Sequence, residues 1–217
     1  MRSVIGVIES TEMAETTTRG RGRPASTTRD QVARVALRLF IERGFDETTM
    51  DDIATELGVG RRTLFRYYPS KNDLVWGEFD EVLERMRSDL RSGDRSRPVM
   101  TVIREAAVRS NTYPDSLLDE LHHRLTLIQN VPALQAHSML RYADWRAVVA
   151  KYVAERCGLS PDDLLPIALA YAALGASSAA FGRWVAHPEE DILKLIDASY
   201  RLLGDGFTIE IASAVGA

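Results

Sequence analysis

Apolar residues recur every three or four positions along the first part of the chain, the spacing that places them on one side of an α-helix. The clearest run predicts a first helix, which a threonine at 27 or 28 begins and Gly44 ends. Its apolar positions are Val32, Val35, Ala36, Leu39 and Phe40. No segment alternates apolar and polar residues between turn residues, so we expect no sheet and an all-α fold.

Two short helices are predicted next. Residues 50–57 carry apolar positions at helical spacing, Thr49 stands before them as a capping residue, and Gly58 ends the helix. A third helix covers 61–68, and Pro69 ends it because proline supplies no backbone N–H. Two short helices joined by a tight glycine-containing turn form the helix-turn-helix pattern, whose second helix enters the major groove of DNA.

A longer helical body follows. We expect a fourth helix from Ser70 to about Arg91, and then a polar segment over 92–98 that is the best candidate for a domain boundary. Prolines near first turns and glycines near last turns delimit the remaining helices. These helices are predicted near 98–111, 114–129, 132–157, 161–186 and 189–204, which brings the total to about nine.

The net charge of −4 is unevenly distributed. From Arg19 to Lys71 there are eleven Lys and Arg residues against seven Asp and Glu, and the chain on either side is acidic. A basic segment on an acidic body suggests that one end binds a polyanion. On the third predicted helix, Arg62 and Arg66 point away from Leu64, and exposed arginines suit contacts to guanine O6 and N7. A solvated charged face is the alternative.

An arginine-rich arm precedes the first helix. Its arginines at 19, 21 and 23 are interleaved with glycine and followed by Pro24. Arginines on a flexible chain can reach the minor groove or bind phosphates, and a merely basic tail is the alternative. Because the arm stands directly before a helix-turn-helix, DNA contact is the favoured interpretation.

The helix-turn-helix residues resemble the TetR family of bacterial regulators at many positions with fixed spacing. The resemblance is carried by Val35, Ala36, Leu39, Phe40, Gly44, Phe45, Thr48, Thr49, Ile53, Ala54, Leu57, Gly58, Val59, Thr63, Leu64, Phe65, Tyr68, Lys71 and Leu74. It implies that Thr49 and Lys71 contact phosphates and that Tyr67 occupies a backbone-contact position. It also implies that Arg62 and Thr63 lie in the groove.

Two positions depart from the family pattern. Gly60 stands where the family usually has Ser or Thr as the cap of the recognition helix, and Phe65 replaces a common Tyr, so that no hydroxyl is available there. Each departure weakens a single contact. The residues expected to contact DNA are Arg19, Arg21, Arg23, Thr49, Arg61, Arg62, Thr63, Arg66, Tyr67 and Lys71.

The arm and the segment 61–73 are also similar to regulators of the mycofactocin cofactor system in actinobacteria. That similarity implies a fatty acyl-CoA-type effector, and the TetR resemblance implies a repressor that the effector releases from a palindromic operator. The expected division is 1–26 as a disordered leader and basic arm, 27–74 as the DNA-binding domain, and 75–217 as the ligand-binding and dimerisation domain. An architectural DNA-binding protein without an effector is the alternative, although it would not need so large and apolar a body.

The middle helices hold large side chains of mixed polarity. Such residues suit an apolar pocket with a few polar groups, the normal form of a small-molecule site, and arginines there can meet an anionic head group. For each residue, plain hydrophobic core or a surface ion pair is the alternative. The candidate pocket residues are Arg109, Tyr113, His122, Arg124, Met139, Tyr142, Trp145, Tyr171 and Trp184.

The predicted helix near 161–186 carries small residues at three-to-four-residue spacing. Small side chains let two helix axes approach closely, either between two copies of the chain or inside one. The family pairs through its last two long helices, which favours a homodimer, and a two-fold dimer reads two half-sites about one DNA turn apart. The candidate interface residues are Ala168, Ala172, Gly175, Ala176, Ala179, Ile192, Leu195, Ile196 and Ser199.

Other classes of function find little support. The adjacent pair His122 and His123 cannot share a helix face as metal ligands do, and there is no nucleophile elbow or phosphate-binding loop. We therefore expect no catalytic residues, no metal and no cofactor. The single Cys157, the missing secretory signal and the absence of about 18 consecutive apolar residues suggest a cytoplasmic protein with no membrane span.

Overall fold

The computed structural model describes residues 27–77 and 79–206, and the predicted all-α class is confirmed there. The described part contains ten α-helices and one short 3-10 turn over Asp115–Leu117. The helices are α1 (Arg29–Arg43), α2 (Met50–Leu57), α3 (Arg61–Tyr67), α4 (Lys71–Trp76), α5 (Phe79–Ser92), α6 (Val99–Ser110), α7 (Leu118–Asn130), α8 (Pro132–Cys157), α9 (Leu164–Ala186) and α10 (Ile192–Gly204).

The first two helices begin at reciprocal capping boxes. Thr28 and Gln31 bond each other's backbone at the start of α1, and Thr49 and Asp52 do the same at the start of α2. These bonds satisfy backbone N–H groups that the first turn of a helix leaves without partners. Gly58 ends α2 in the left-handed conformation (φ 64, ψ 29), which glycine adopts without a steric penalty.

The predicted fourth helix is broken in two. We expected one helix from Ser70 to about Arg91, but α4 ends at Trp76 and the chain turns at Gly77 (φ 50, ψ −117) before α5 begins. A helical pattern of apolar residues continues across the break, so periodicity alone could not reveal it. The difference raises the helix count from nine to ten.

Three further helices begin later than expected. The helix predicted from 189 begins at Ile192, where the Asp191 side chain accepts from the first-turn N–H groups of Leu193 and Lys194. The first residues of the helix predicted at 114 form the 3-10 turn, so α7 begins at Leu118. The helix predicted at 161 begins at Leu164, because residues 160–163 form a turn in which the Ser160 N–H donates to the Asp163 carboxylate at 2.8 Å.

Two hydrophobic cores hold the helices together. One core joins α1 to α4 and includes Phe40, Ile53, Leu64 and Leu74, with Leu134 of α8 completing it. The other core lies among α5, α6, α8, α9 and α10. Burial of apolar surface is the main stabilising contribution in both. Because α7 and α8 contribute to the first core, the helix-turn-helix is packed directly on the body.

α9 presents an apolar face to the outside. By length and composition the helix could cross a membrane, and its mean hydropathy is 1.7. The sequence analysis expected no membrane span because the apolar residues of this helix are interrupted by glycine and serine. Only 33% of that window is buried inside the chain. A partly exposed helix of a protein assembly meets the same criterion, so the hydropathy assigns no membrane role. Its exposed large side chains are Leu164, Leu165, Ile167 and Tyr171.

Candidate nucleic-acid interface and ligand cavity

The helix α3 has one buried side and one arginine-bearing side. Leu64 and Tyr68 are completely buried and belong to the same core as Ile53 of α2, which fixes the rotation of α3 about its axis. Arg62 and Arg66 are exposed on the opposite side. Among the described residues Arg62 has no hydrogen-bond or ion-pair partner, so all of its N–H donors are available to an external acceptor.

Arg61 and Arg66 are each held near an aromatic ring. The Arg61 guanidinium donates to the Asp51 carboxylate at 3.0 Å and lies 5.4 Å from the centre of the Phe65 ring. The Arg66 guanidinium lies 5.4 Å from the centre of the Tyr67 ring. Such cation–π contacts orient the arginines at the surface and are worth about 0.5–1 kcal/mol at exposed sites.

The polar residues expected at phosphates already have partners inside the chain. The Thr49 hydroxyl donates to the Asp52 carboxylate at 2.6 Å, and the Tyr67 hydroxyl donates to the Thr27 carbonyl at 2.5 Å. Lys71 donates to the Phe45 carbonyl at 2.8 Å and lies 4.3 Å from the Phe45 ring centre. In this conformation the single hydroxyl donors of Thr49 and Tyr67 are occupied, and only the Lys71 ammonium keeps an N–H donor free for a phosphate. Thr63 is half-buried on α3, and Arg19, Arg21 and Arg23 lie outside the described residues.

A cavity of about 260 Å³ lies between the helix-turn-helix and the body. Its wall is mostly apolar, with contributions from α1, α4, α5, α7, α8 and α9 and from the segment before α7. The lining residues are Asp30, Arg34, Val75, Trp76, Phe79, Val82, Asn111, Tyr113, Leu117, Glu120, Leu121, Arg124, Leu125, Ile128, Tyr142, Trp145, Leu174, Ser177, Ser178 and Phe181.

Nine of the twenty lining residues carry a charged, hydroxyl or amide group. Arg34 pairs with Asp30, and Arg124 pairs with Glu120, so each arginine is matched by a carboxylate of its own helix. Burial raises the pKa of the Tyr142 phenol above its ordinary value, which keeps the hydroxyl protonated as a donor. The two ion pairs carry no net charge, so the wall offers a ligand hydrogen-bonding groups and no excess charge from these pairs.

The structure brings four of the nine predicted pocket residues to this cavity: Tyr113, Arg124, Tyr142 and Trp145. Met139 and Tyr171 are 61% and 57% exposed on the outer faces of α8 and α9. Arg109 is at the surface, where it bonds Asp89 at 3.2 Å. These three assignments to the pocket are corrected, because helical spacing shows that residues share a face but not which way that face points.

The other two predicted pocket residues form a core contact. The His122 and Trp184 rings meet edge to face with centres 5.4 Å apart, and His122 Nε2 bonds the Val185 carbonyl at 3.2 Å. Neither residue lines the cavity, since the pair instead joins α7 to α9. The sequence analysis also missed the lining residues of α1, α4 and α5, among them Asp30, Arg34 and Trp76, because apolar spacing does not show that the helix-turn-helix packs on the body.

The predicted dimer-interface residues divide between surface and core. Ala168, Gly175 and Ala179 are exposed on α9, and Ala172 and Ala176 are half-buried beside them. Ile192 and Ile196 are 4% and 0% exposed and pack inside their own chain, so we correct their assignment to the interface. Leu195 packs partly on the same core, and the half-buried Ser199 donates to the Ile196 carbonyl at 2.9 Å.

One cluster has the composition of a metal site. His187, Glu189 and Glu190 place three potential ligand atoms within 4.8 Å of one another after the end of α9. Glu189 is exposed, and the Glu190 carboxylate is bound by Arg183, which lowers its pKa. Only Glu190 of the three is bound to an arginine, and none of the three lines the cavity, so we assign no function to this cluster.

Two family models match successive segments of the chain. The model of bacterial regulatory proteins of the tetR family matches residues 33–75, and the model of the MftR C-terminal domain matches residues 97–208. The second match covers the body that forms most of the cavity. The structural division into a helix-turn-helix and a helical body thus has a counterpart in both models.

Curated relatives are transcriptional regulators. A protein of Mycobacterium tuberculosis named as a mycofactocin biosynthesis transcriptional regulator, MftR, is 36% identical over 85% of this chain and 93% of its own length. The HTH-type transcriptional regulator TcmR of Streptomyces glaucescens is 28% identical over 66% of each chain. None of these names describes an enzyme.

Solved structures share the fold at low sequence identity. FadR of Thermus thermophilus, a TetR-family repressor solved with lauroyl-CoA, has a TM-score of 0.56 and 24% identity over 88% of this chain and all of its own. SmeT, repressor of a multidrug efflux pump of Stenotrophomonas maltophilia, has a TM-score of 0.55 and 16% identity over 85% of this chain and 94% of its own. From the two family models and the 36% identical relative, the chain belongs to the TetR family of transcriptional regulators and carries an MftR C-terminal domain.

Proposed function

We propose that this regulator represses transcription by binding a palindromic operator as a homodimer, and that a fatty acyl-CoA releases it. The observation that carries the DNA-binding part is the exposed arginine side of α3, which the burial of Leu64 and Tyr68 turns outward. Arg62 and Arg66 are assigned to base edges, where a bidentate arginine discriminates guanine by about 1–3 kcal/mol. Such a protein acts in the cytoplasm, where the operator lies.

Phosphate contacts position the protein on the duplex. We assign this role to Thr49, Arg61, Tyr67 and Lys71, with Thr63 in the groove and the arginines at 19, 21 and 23 reaching along the DNA. The Thr49 and Tyr67 hydroxyls must exchange their present acceptors, Asp52 and Thr27, for phosphate oxygens when DNA binds. Backbone contacts carry no sequence information by themselves, but they determine register and affinity. In this proposal residues 27–74 read DNA, while residues 75–217 bind the ligand and dimerise.

The exposed face of α9 is the proposed dimer interface. Ala168, Gly175 and Ala179 permit a close approach of two helices, and the exposed Leu164 and Tyr171 provide apolar area around them. Covering this face with a second copy explains why a helix of such high hydropathy is only one-third buried in the single chain. A two-fold axis beside α9 gives two recognition helices for two half-sites.

The cavity is the proposed effector site. Its apolar wall suits an acyl chain, and a volume of about 260 Å³ leaves the bulky nucleotide of a CoA ester outside. Support for the class comes from the Thermus thermophilus FadR structure, which contains lauroyl-CoA and covers 88% of this chain. The cavity also argues against an architectural protein, because a purely architectural role needs no ligand site.

The test is a gel-shift titration of the full chain against the DNA upstream of its own gene. We expect saturable binding that lauroyl-CoA reverses and that the same concentration of free CoA does not. Binding that lauroyl-CoA leaves intact at saturation would eliminate the acyl-CoA effector. Failure to distinguish the upstream DNA from an unrelated duplex would eliminate sequence-specific recognition of that site.

A further inference from the structure

Because α4 ends at Trp76, the backbone carbonyls of its last turn need hydrogen-bond donors from outside the helix. Carbonyl groups in the last turn of a helix have no partner within the helix. Leu74 and Val75 lie in the last turn of α4, and both are completely buried, so water does not satisfy their carbonyls. A partner from elsewhere in the protein is required.

Arg124 of α7 supplies that cap. Its Nη1 donates to the Leu74 carbonyl at 3.1 Å and to the Val75 carbonyl at 3.0 Å. A positive charge is favourable at the carboxyl end of a helix, and hydrogen bonds from a charged donor are strong. On its other side the guanidinium bonds the Glu120 carboxylate through Nε at 3.2 Å and Nη2 at 2.5 Å. The side chain is only 11% exposed.

Gly77 makes room for this cap. A Cβ atom at position 77 would lie 2.8 Å from Arg124 Nη1, closer than non-bonded atoms approach. The positive φ of Gly77 disfavours a side chain independently. The Arg124 guanidinium can therefore occupy this position only because residue 77 has no side chain.

The capping group also lies on the wall of the cavity. Arg124, Glu120 and Val75 all line it, as does Trp76, the last residue of α4. At the other end of α4, Lys71 donates to the Phe45 carbonyl in the loop between α1 and α2. The same short helix thus connects the cavity to the helix-turn-helix.

The corner is not fully satisfied in this conformation. Trp76 Nε1 is buried without a hydrogen-bond partner among the described residues, although the residue is 8% exposed overall. A buried donor without a partner makes a conformation less stable than one in which it is paired. A rearrangement at the end of α4 that gives Trp76 Nε1 an acceptor is therefore favourable for that group.

Resting on the proposed function, we propose that Arg124 is the positioning residue through which cavity occupancy controls α4. A ligand that presents an oxygen acceptor draws the guanidinium from the Leu74 and Val75 carbonyls, and α4 loses its cap. Glu120 already balances the charge of Arg124, so the ligand acceptor need not be charged. An uncharged carbonyl oxygen, such as that of a thioester, can replace the two backbone carbonyls as the acceptor of the guanidinium. The uncapped α4 shifts, and the helix-turn-helix leaves the orientation that fits DNA.

The experiment compares Arg124→Gln with Arg109→Gln, a substitution of an exposed arginine of α6 that does not line the cavity. The readout is the response ratio, defined as the operator Kd with saturating lauroyl-CoA divided by the Kd without it. We expect Arg124→Gln to raise the ligand-free Kd about tenfold or more and to bring the ratio close to one. Hydrogen exchange of residues 71–77 should rise, while Arg109→Gln should match the unmodified chain in all three measurements.

A merely structural role for Arg124 predicts a different pattern: weaker DNA binding with an unchanged response ratio. That pattern would overturn the proposal. If Arg124→Gln does not fold, Arg124→Lys distinguishes the two roles, because lysine keeps the positive charge but lacks the several donors of the guanidinium. Its ratio should fall between one and that of the unmodified chain, and an undiminished ratio would contradict the cap.

The proposed effector and the cap can fail separately. If lauroyl-CoA neither raises the melting temperature of the unmodified chain nor releases DNA, the acyl-CoA assignment fails. The ligand-free comparison still applies, since loss of the cap should weaken DNA binding and increase exchange in α4 without any ligand. If Arg124→Gln then behaves like Arg109→Gln in both measurements, the coupling role is rejected.

Discussion

At the scale of single residues, the arginines of this chain differ by their surroundings. Arg62 is exposed and has no partner among the described residues, whereas Arg124 is nearly buried and all three of its nitrogens are engaged. A free guanidinium retains its five donors for an external partner. An engaged one holds two helices in a fixed relation, and we therefore propose that the same residue type serves recognition at α3 and positioning at α7.

We expect Arg62→Ala to weaken binding to the operator by about 1–3 kcal/mol, the range for one bidentate base contact. Binding to unrelated DNA should change much less, so that the specificity ratio falls. Fluorescence anisotropy with operator and scrambled duplexes measures both. The control is Arg87→Ala on α5, a surface arginine whose ion pair with Glu84 is exposed. Equal losses on the two duplexes would contradict base reading by Arg62.

We expect Gly77→Ala and Gly182→Ala to have opposite effects on stability. At Gly77 the new methyl group meets Arg124 and φ is positive, so the free energy of unfolding should fall by about 1 kcal/mol or more. At Gly182, inside α9, the Cβ meets nothing within 4 Å in the single chain, and alanine should stabilise the folded chain by about 0.5–1 kcal/mol. Urea unfolding of both variants provides the measurement, and a Gly77→Ala protein as stable as the parent would contradict the close fit.

At the scale of elements, the sequence indicates which helices form better than where their faces point. The apolar spacing and the caps at Thr49 and Gly58 predict α2 correctly, because capping and periodicity are local properties. The turn at Gly77 packs against Arg124, which is 47 residues later in the chain and close only in the folded protein. Likewise Tyr171 and Trp184 share α9, yet one is exposed and the other buried.

The cap of α2 makes one pH dependence predictable. Hydrogen bonds from the Thr49 hydroxyl and backbone N–H lower the pKa of Asp52. A lowered pKa in the folded state means that the carboxylate stabilises the fold above its unfolded-state pKa and that this contribution is lost as the pH falls through the folded-state pKa. Asp52→Asn should therefore be less stable than the parent at neutral pH, with a difference that shrinks in acid.

Urea unfolding of Asp52→Asn at several pH values tests this cap. The exposed Glu47→Gln in the preceding loop is the control, and it should not alter the stability difference in the same way. A stability difference for Asp52→Asn that stays constant from neutral to acidic pH would show that the charge of Asp52 does not contribute.

The outward face of α9 should determine the oligomeric state. Gly175→Arg places a charged side chain where Cβ has open space in the single chain, so the monomer should fold normally while pairing is blocked. Analytical ultracentrifugation should find a dimer for the parent and a monomer for the variant. Ala133→Arg on the exposed start of α8 is the control and should remain dimeric. A Gly175→Arg dimer would place the interface elsewhere.

At the scale of the whole molecule, the cavity joins the two parts that the sequence suggests are separate. Asp30 and Arg34 come from the first helix of the DNA-reading part, and Val75 and Trp76 directly follow that part, yet all four line a cavity otherwise built by the body. A ligand in this place contacts both parts directly. Control of DNA binding then needs no long-range relay, because differential contacts in the two states are enough.

Guanine methylation interference on the operator tests most directly whether the arginine side of α3 enters the major groove. A methyl group at guanine N7 blocks the atom that a bidentate arginine binds, so interference should appear at guanines in two symmetric clusters about one helical turn apart. Arg62→Ala and Arg66→Ala should each remove interference at particular guanines. Interference that is absent, or that both variants leave unchanged, would contradict major-groove recognition by α3.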